Sequence, residues 1–293
     1  MTGVVAFDIA LSGGALSGVD WAALAPIVVA MLGAGLAAGF AAGLFGIGGG
    51  FVVVPAMYAV LNLLDSGAVE SRTHIAVGTS LGAMILTAVS STRAHARRGA
   101  VDFRLVRTWA PWIVIGVIAG SALAARIDGR LLTLIFAVGV FILAAQMMIG
   151  RQDRWRLGDE MPGEPLRAAF ASFLGFFSAL LGIGGATYVV LVMTLHGRPI
   201  HQAIGTAASF GAVIAIPGAI AFAIIGVHAA QLPPGSLGYV NMIGVVAISA
   251  MTILTAPLGA ALAHRLNAKR LRRVFALYLF FTSALLFKDG LAM

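Results

Sequence analysis

The stretch Leu44-Phe45-Gly46-Ile47-Gly48-Gly49-Gly50 appears a second time as Leu180-Leu181-Gly182-Ile183-Gly184-Gly185-Ala186. Each copy interrupts a long apolar run, the first within 22–64 and the second within 168–197. Two further words repeat in the same order. His74-Ile75-Ala76-Val77-Gly78-Thr79-Ser80 returns as His201-Gln202-Ala203-Ile204-Gly205-Thr206-Ala207. Gly120-Ser121-Ala122-Leu123-Ala124-Ala125-Arg126 returns as Gly259-Ala260-Ala261-Leu262-Ala263-His264-Arg265. The offsets are 136, 127 and 139 residues. Single apolar words match by chance; three in order, one of them His-x-Ala-x-Gly-Thr, point to a duplication. Two halves with helices broken by glycine at matching places are the sequence pointer to a transporter's binding site.

Outward from these words the chain is almost entirely apolar. Of its 293 residues 60% are hydrophobic and 10% charged, with mean hydropathy +1.00. Soluble domains run at about 45–50% and about 25%. A soluble globular domain, a disordered chain and a collagen-like chain are excluded. An outer-membrane barrel would alternate apolar and polar residues in short segments, whereas these runs are continuous. The apolar blocks are 22–64, 75–92, 108–125, 131–150, 168–197, 202–226, 239–263 and 274–287. A crossing takes about 20 residues, so each unbroken block crosses once. No Lys or Arg precedes Arg72, so a secretory signal peptide is not expected.

The net charge of +8 sits in short loops, where it sets topology rather than binding nucleic acid. Arg93, Arg97, Arg98, Arg104 and Arg107 mark 93–107 as cytoplasmic, and Arg265, Lys269, Arg270, Arg272 and Arg273 mark 264–273 likewise. The counterpart of the first, 227–238, has no Lys or Arg, and that of the second, 126–130, has only Arg126 and Arg130 around Asp128. The bias reverses between halves, which requires an odd number of crossings per half. Each broken block must then enter and leave on one side. The expected fold is an all-α polytopic membrane protein of two inverted-topology repeats, each a glycine-broken hairpin plus three transmembrane helices. The expected divisions are an external tail 1–21, a first repeat 22–150, a cytoplasmic linker 151–167 and a second repeat 168–290.

Candidate site residues follow from the repeated words. Without Cβ atoms, Gly48, Gly49, Gly50, Gly184 and Gly185 let backbone N–H groups converge on a ligand where a helix restarts. His74 and His201 open the next crossings, and Thr79, Ser80 and Thr206 offer hydroxyls one turn deeper. Helix packing and back-bonding are the plain alternatives for these residue types, and Gly35, Gly39 and Gly43 read as a packing stripe. All 11 acidic residues lie outside the apolar blocks or at their edges, whereas proton pumps and most cation transporters keep a carboxylate inside the membrane. An anion site built from N–H, hydroxyl and imidazole donors is favoured. No cysteine is present and the glycine words are neither a dinucleotide nor a phosphate-loop motif. No catalytic residue, metal or cofactor is expected.

The run Gly43 to Gly50 with Val54-Pro55, and the partner words His74 to Ser80 and His201 to Ser209, resemble the TauE/SafE sulfite-exporter and anion-permease family. The resemblance spans roughly residues 25–290. It implies a multi-pass carrier in the bacterial inner membrane for sulfite, organosulfonates or related anions. The second copy departs by Ala186 for Gly50 and Leu191 for Pro55, so the two tips are not expected to be equivalent. An anion channel and an importer of other small anions are the alternatives; a membrane enzyme would need a buried acid–base cluster. The expected partners are a small anion and the lipid bilayer, without nucleic acid; assembly into a homo-oligomer stays open. In this cysteine-free chain, a cysteine at Gln231 is expected to react with an impermeant reagent only from outside. Labelling from the cytoplasm alone would rule out the reversed topology.

Overall fold

The computed structural model describes residues 21–45, 49–63, 68–149, 158, 161–263 and 268–292. The tail 1–20, Gly46–Gly48 and most of the linker fall outside these residues, so the expectation for Gly48 does too. The first half of the chain forms α1 (Trp21–Phe45), α2 (Gly50–Leu63), α3 (Arg72–Ala96), α4 (Phe103–Ala124) and α5 (Gly129–Ile149). The second forms α6 (Leu166–Leu181), α7 (Ala186–Leu195), α8 (Ile200–Ile225), α9 (Met242–Ala263) and α10 (Ala268–Ala292). Among the described residues six helices are long and apolar enough to cross a membrane, three in each half. At 1.5 Å per residue, α2 and α7 are only about 21 and 15 Å long, short of a bilayer core of about 30 Å. The protein is an all-α, multi-pass membrane protein. Isoleucines 115, 118 and 142, with Leu254 and Phe281, are more than half exposed on its outside, as suits lipid rather than water.

Local chemistry sets the breaks. Helix α6 ends on Gly182, whose φ of 61° only glycine adopts readily. The Ile183 N–H bonds the Ser178 carbonyl at 3.0 Å and the Gly182 N–H bonds Ala179, a Schellman closure. Gly185, also at φ 61°, then caps α7. Its carbonyl accepts from the N–H groups of Tyr188 and Val189, just as the Gly49 carbonyl accepts from Val52 and Val53 at the start of α2. Helices α4, α5 and α9 start on Asp102, Asp128 and Asn241, whose side chains accept the N–H three residues on at 3.0, 2.7 and 2.8 Å. The apolar block 239–263 therefore begins its helix only at Met242. Ahead of it, Ser236–Leu237 and Val240–Asn241 pair as a short antiparallel hairpin, its first strand within the loop 227–238 and its second at the start of that block.

The halves interlock rather than stand side by side. The main packings are α1 on α9, α4 on α6, α3 on α8 and α5 on α10. Exchanging the halves leaves this pattern unchanged: α1–α9 becomes α6–α4, and the other two pairs map onto themselves. The repetition reaches single residues. A Cβ on Gly39 would overlap Thr252, and one on Gly175 would overlap Ile113. Residues 39 and 175 are 136 apart, and 113 and 252 are 139 apart, the same offsets as the repeated words. Helices α5 and α10 run antiparallel. The Ser283 hydroxyl donates to the Ala137 carbonyl at 2.9 Å, the Phe141 and Phe280 rings lie 5.3 Å apart, and Gly290 backs onto Leu134. Helices α3 and α8 are antiparallel too, with His74 beside Phe222 at one end and Gly205 against His95 at the other.

Between α4 and α6 the approach is so close that a Cβ on Gly116 would overlap the Ser172 carbonyl oxygen, while Gly33 has open space beside it. Gly116→Ala is expected to cost about 1–3 kcal/mol, the usual range for overpacking. Gly33→Ala should be neutral or slightly stabilising by helix propensity. Thermal unfolding in detergent, compared between the two variants, checks this.

Candidate functional site

The start of α2, just past the first glycine word, meets the second glycine tip inside the protein. A Cβ on Gly50 would stand 2.5 Å from the Gly182 carbonyl oxygen and 2.9 Å from Ile183 Cα. Helix α2 of one half therefore starts against the tip of the other half's hairpin, and Gly50 is required there for sterics. The Ser80 hydroxyl donates to the Gly182 carbonyl at 2.9 Å, which satisfies a backbone acceptor freed by the helix break. Gly184 faces the Met84 sulfur and the α8 backbone at Gly211; Gly185 faces Ser178 and Leu174. Gly50, Ser80, Gly184 and Gly185 thus come together with Met84 and Ser178, and all six are buried. Gly49, half-buried, adjoins them. Met84 and Ser178 have no repeated word around them, and only the fold reveals their place.

The other candidates go to the two ends of the α3–α8 pair. Thr79 and Thr206 are fully buried, and each hydroxyl oxygen is already an acceptor. The Asn241 N–H donates to Thr79 at 3.0 Å and the Asp102 N–H to Thr206 at 2.9 Å. Threonines 79 and 206 are 127 apart and residues 102 and 241 are 139 apart, so this is one contact made twice. In each case a threonine on the third helix of one half holds the capping residue of a helix in the other half. Beside it, Gly78 backs onto the Tyr239 carbonyl and Gly205 onto that of Ala100, again the same contact made twice. His74 is 4% exposed, and its Nε2 lies 2.9 Å from the Ala124 carbonyl. A carbonyl can only accept, so Nε2 carries the hydrogen. His201 is exposed, so the paired histidines occupy different environments.

The charged groups keep to the ends. Among the described residues Glu70, Asp128 and Glu164 are exposed, and no cluster of three His, Cys, Asp or Glu that could hold a metal is found. The centre, where the helices break, offers backbone, hydroxyl and thioether groups.

The sequence that builds this arrangement matches a described family. The sequence model of "Sulfite exporter TauE/SafE" matches residues 31–286. The chain belongs to the TauE/SafE sulfite-exporter family. It is 34% identical over 247 residues to a "Probable membrane transporter protein" of Haemophilus influenzae, covering 84% of this chain and 92% of that one. A Methanocaldococcus jannaschii protein of the same description is 26% identical, covering 81% and 87%. One from Bacillus subtilis is 23% identical, covering 88% and 96%. No solved structure matches. Membership of the TauE/SafE family makes the protein a membrane transporter and not an enzyme.

Because the threonine contacts carry buried backbone, their loss is expected to register as stability. Thr79→Val strands the N–H of fully buried Asn241 and should cost about 1–3 kcal/mol. Thr206→Val strands that of half-buried Asp102, which water can reach, and should cost less. Thermal unfolding of the two variants in detergent gives the comparison; equal or no loss would break the argument.

Proposed function

We propose that the protein is a secondary carrier that exports small sulfur-containing anions, sulfite or organosulfonates, across the bacterial inner membrane. The substrate binds mid-membrane, where the two glycine tips meet. The observation that carries this reading is the contact of Gly50 with the Gly182 carbonyl between two hairpins of opposite halves. Non-helical backbone at membrane depth is tolerated only where protein or a wet cavity lines it. Helix starts at α2 and α7 there present N–H groups and the positive end of the helix dipole to an anion. Gly48, Gly49, Gly50, Gly184, Gly185 and Ser80 are the proposed contacts; Thr79, Thr206, His74 and His201 serve the site from the ends of α3 and α8. Family membership supports the sulfur-oxyanion class, and the confinement of carboxylates to the ends supports an anion over a cation. The antiparallel runs of α3 with α8 and of α5 with α10 support an inverted repeat, and with it alternating access of one central site to the two faces.

The test is counterflow in proteoliposomes loaded in turn with sulfite, thiosulfate, taurine, isethionate and sulfate. A carrier shows saturable exchange that accelerates when the opposite side holds substrate, and a channel does not. Gly50→Val, which pushes the tips apart, is expected to lower exchange at least about tenfold, the equivalent of about 1.4 kcal/mol, while the protein still inserts. Exchange at the normal rate would place the substrate away from the tips.

A further inference from the structure

At the end of the bundle where His74 sits, a cavity of about 160 Å³ opens between the start of α3, the α4–α5 turn and the Tyr239 hairpin. Glu70, Ser71, His74, Asp128, Ile225 and Tyr239 are among the residues lining it. No lysine or arginine lines it; its titratable groups are His74, Glu70, Asp128 and Tyr239. At about 30 Å³ each, it has room for about five waters. His74 is 4% exposed, with Nε2 committed to the Ala124 carbonyl, while Nδ1 is buried with no hydrogen-bond partner. With the hydrogen on Nε2, that Nδ1 is a bare lone pair, a buried acceptor without a donor. Such a group is costly unless something fills it. The Tyr239 ring lies 5.0 Å away and that of Phe222 6.5 Å away, and an aromatic face favours a cation over a neutral ring.

The duplicate site is built differently. Residue 74 corresponds to 201 and 222 to 95 by the same offset of 127. The place of Phe222 is therefore taken by His95, which is close enough to interact electrostatically with Arg98 and His201. One end thus sets His95 and Arg98 near an exposed histidine, while the other encloses a single histidine beneath Glu70 and Asp128.

We propose that His74 Nδ1 binds the proton whose movement is coupled to anion transport, with Asp128 and Glu70 as its counter-charges at the cavity mouth. The proposal rests on the carrier reading above. Protonation puts a hydrogen on the vacant nitrogen and a positive charge beside Tyr239. The Tyr239 carbonyl is the group that abuts Gly78, and two residues on, Asn241 donates its N–H to Thr79. A charge on His74 therefore acts on the joint between α3 of one half and α9 of the other, the kind of contact that alternating access must change.

The test uses the full chain in liposomes loaded with a pH dye, with gradients of thiosulfate and isethionate, neither of which titrates between about pH 5 and 8, the range a histidine spans. The quantity read is protons moved per anion. Wild type should move about one, and His74→Gln, whose amide can still donate to Ala124 but cannot take a proton, should move fewer than about one-tenth as many. Asp128→Asn keeps the α5 cap and removes a counter-charge, so the pH of half-maximal transport should move toward acid. Anion flux without protons in wild type, or an unchanged ratio in His74→Gln, overturns the proposal. If His74→Gln does not fold, an unchanged pH profile in Asp128→Asn overturns it. If no anion exchanges at all, the carrier reading has failed instead. The proton site is then judged by ring-carbon NMR of labelled histidine: titration of His74 in that range upholds it, and its absence ends it.

Discussion

Backbone broken in the middle of a membrane has no water to bond, so every freed N–H and carbonyl must find a partner within the protein. That constraint shapes this molecule from the centre outward. Gly182 ends α6 with its carbonyl unmatched, and Ser80 of the other half meets it. The Schellman closure at Ser178 and Ala179 takes up two more carbonyls. Gly50 sits so near that no side chain fits. The two hairpins are therefore not independent loops dipping into a bundle. The start of α2 and Ser80 of α3 are the lining that makes the break at Gly182 tolerable.

The same logic repeats at both ends of the α3–α8 pair. A helix needs its first N–H groups capped. Asp102 and Asn241 do this for α4 and α9 with their side chains, and anchor their own N–H groups on Thr206 and Thr79. One hydrogen bond at each end, backed by one side-chain cap, ties the start of a helix in one half to the third helix of the other. The charged groups flank this frame. With no carboxylate near the tips among the described residues, the centre stays a place of dipoles and hydroxyls. In water such groups bind anions weakly; in a dry interior each bond counts for more.

Much of this was legible in the chain. The glycine words marked both breaks, and at the second the reason is visible: only glycine takes the left-handed conformation of Gly182 and Gly185 cheaply. The offsets of the repeated words recur in the contacts Gly39–Thr252 and Gly175–Ile113, since duplicated sequence folds into duplicated packing. The Gly35 and Gly39 stripe read as packing and packs, against Ile248 and Thr252. The partners of Thr79 and Thr206 were not legible. A hydroxyl at a helix start looks the same in sequence whether it faces a ligand or a backbone N–H from far along the chain. Nor could spacing tell buried His74 from exposed His201, because their words are alike and their neighbours, Phe222 and His95, lie far away in sequence. The short strands near Asn241 were hidden for a different reason: two residues each are too few to show an alternating pattern.

The exchange of partners between halves bears on how such a chain is made. The first half emerges from the ribosome with α1 lacking α9, α5 lacking α10 and Thr79 lacking a donor that lies 162 residues downstream. At synthesis rates of about 5–20 residues per second, that wait is on the order of ten to thirty seconds. Through that interval the small-residue face of α1 has only lipid or other helices to touch. The half-made protein is an open clasp, and its most glycine-rich surfaces are the ones a membrane chaperone or a second nascent copy would meet first.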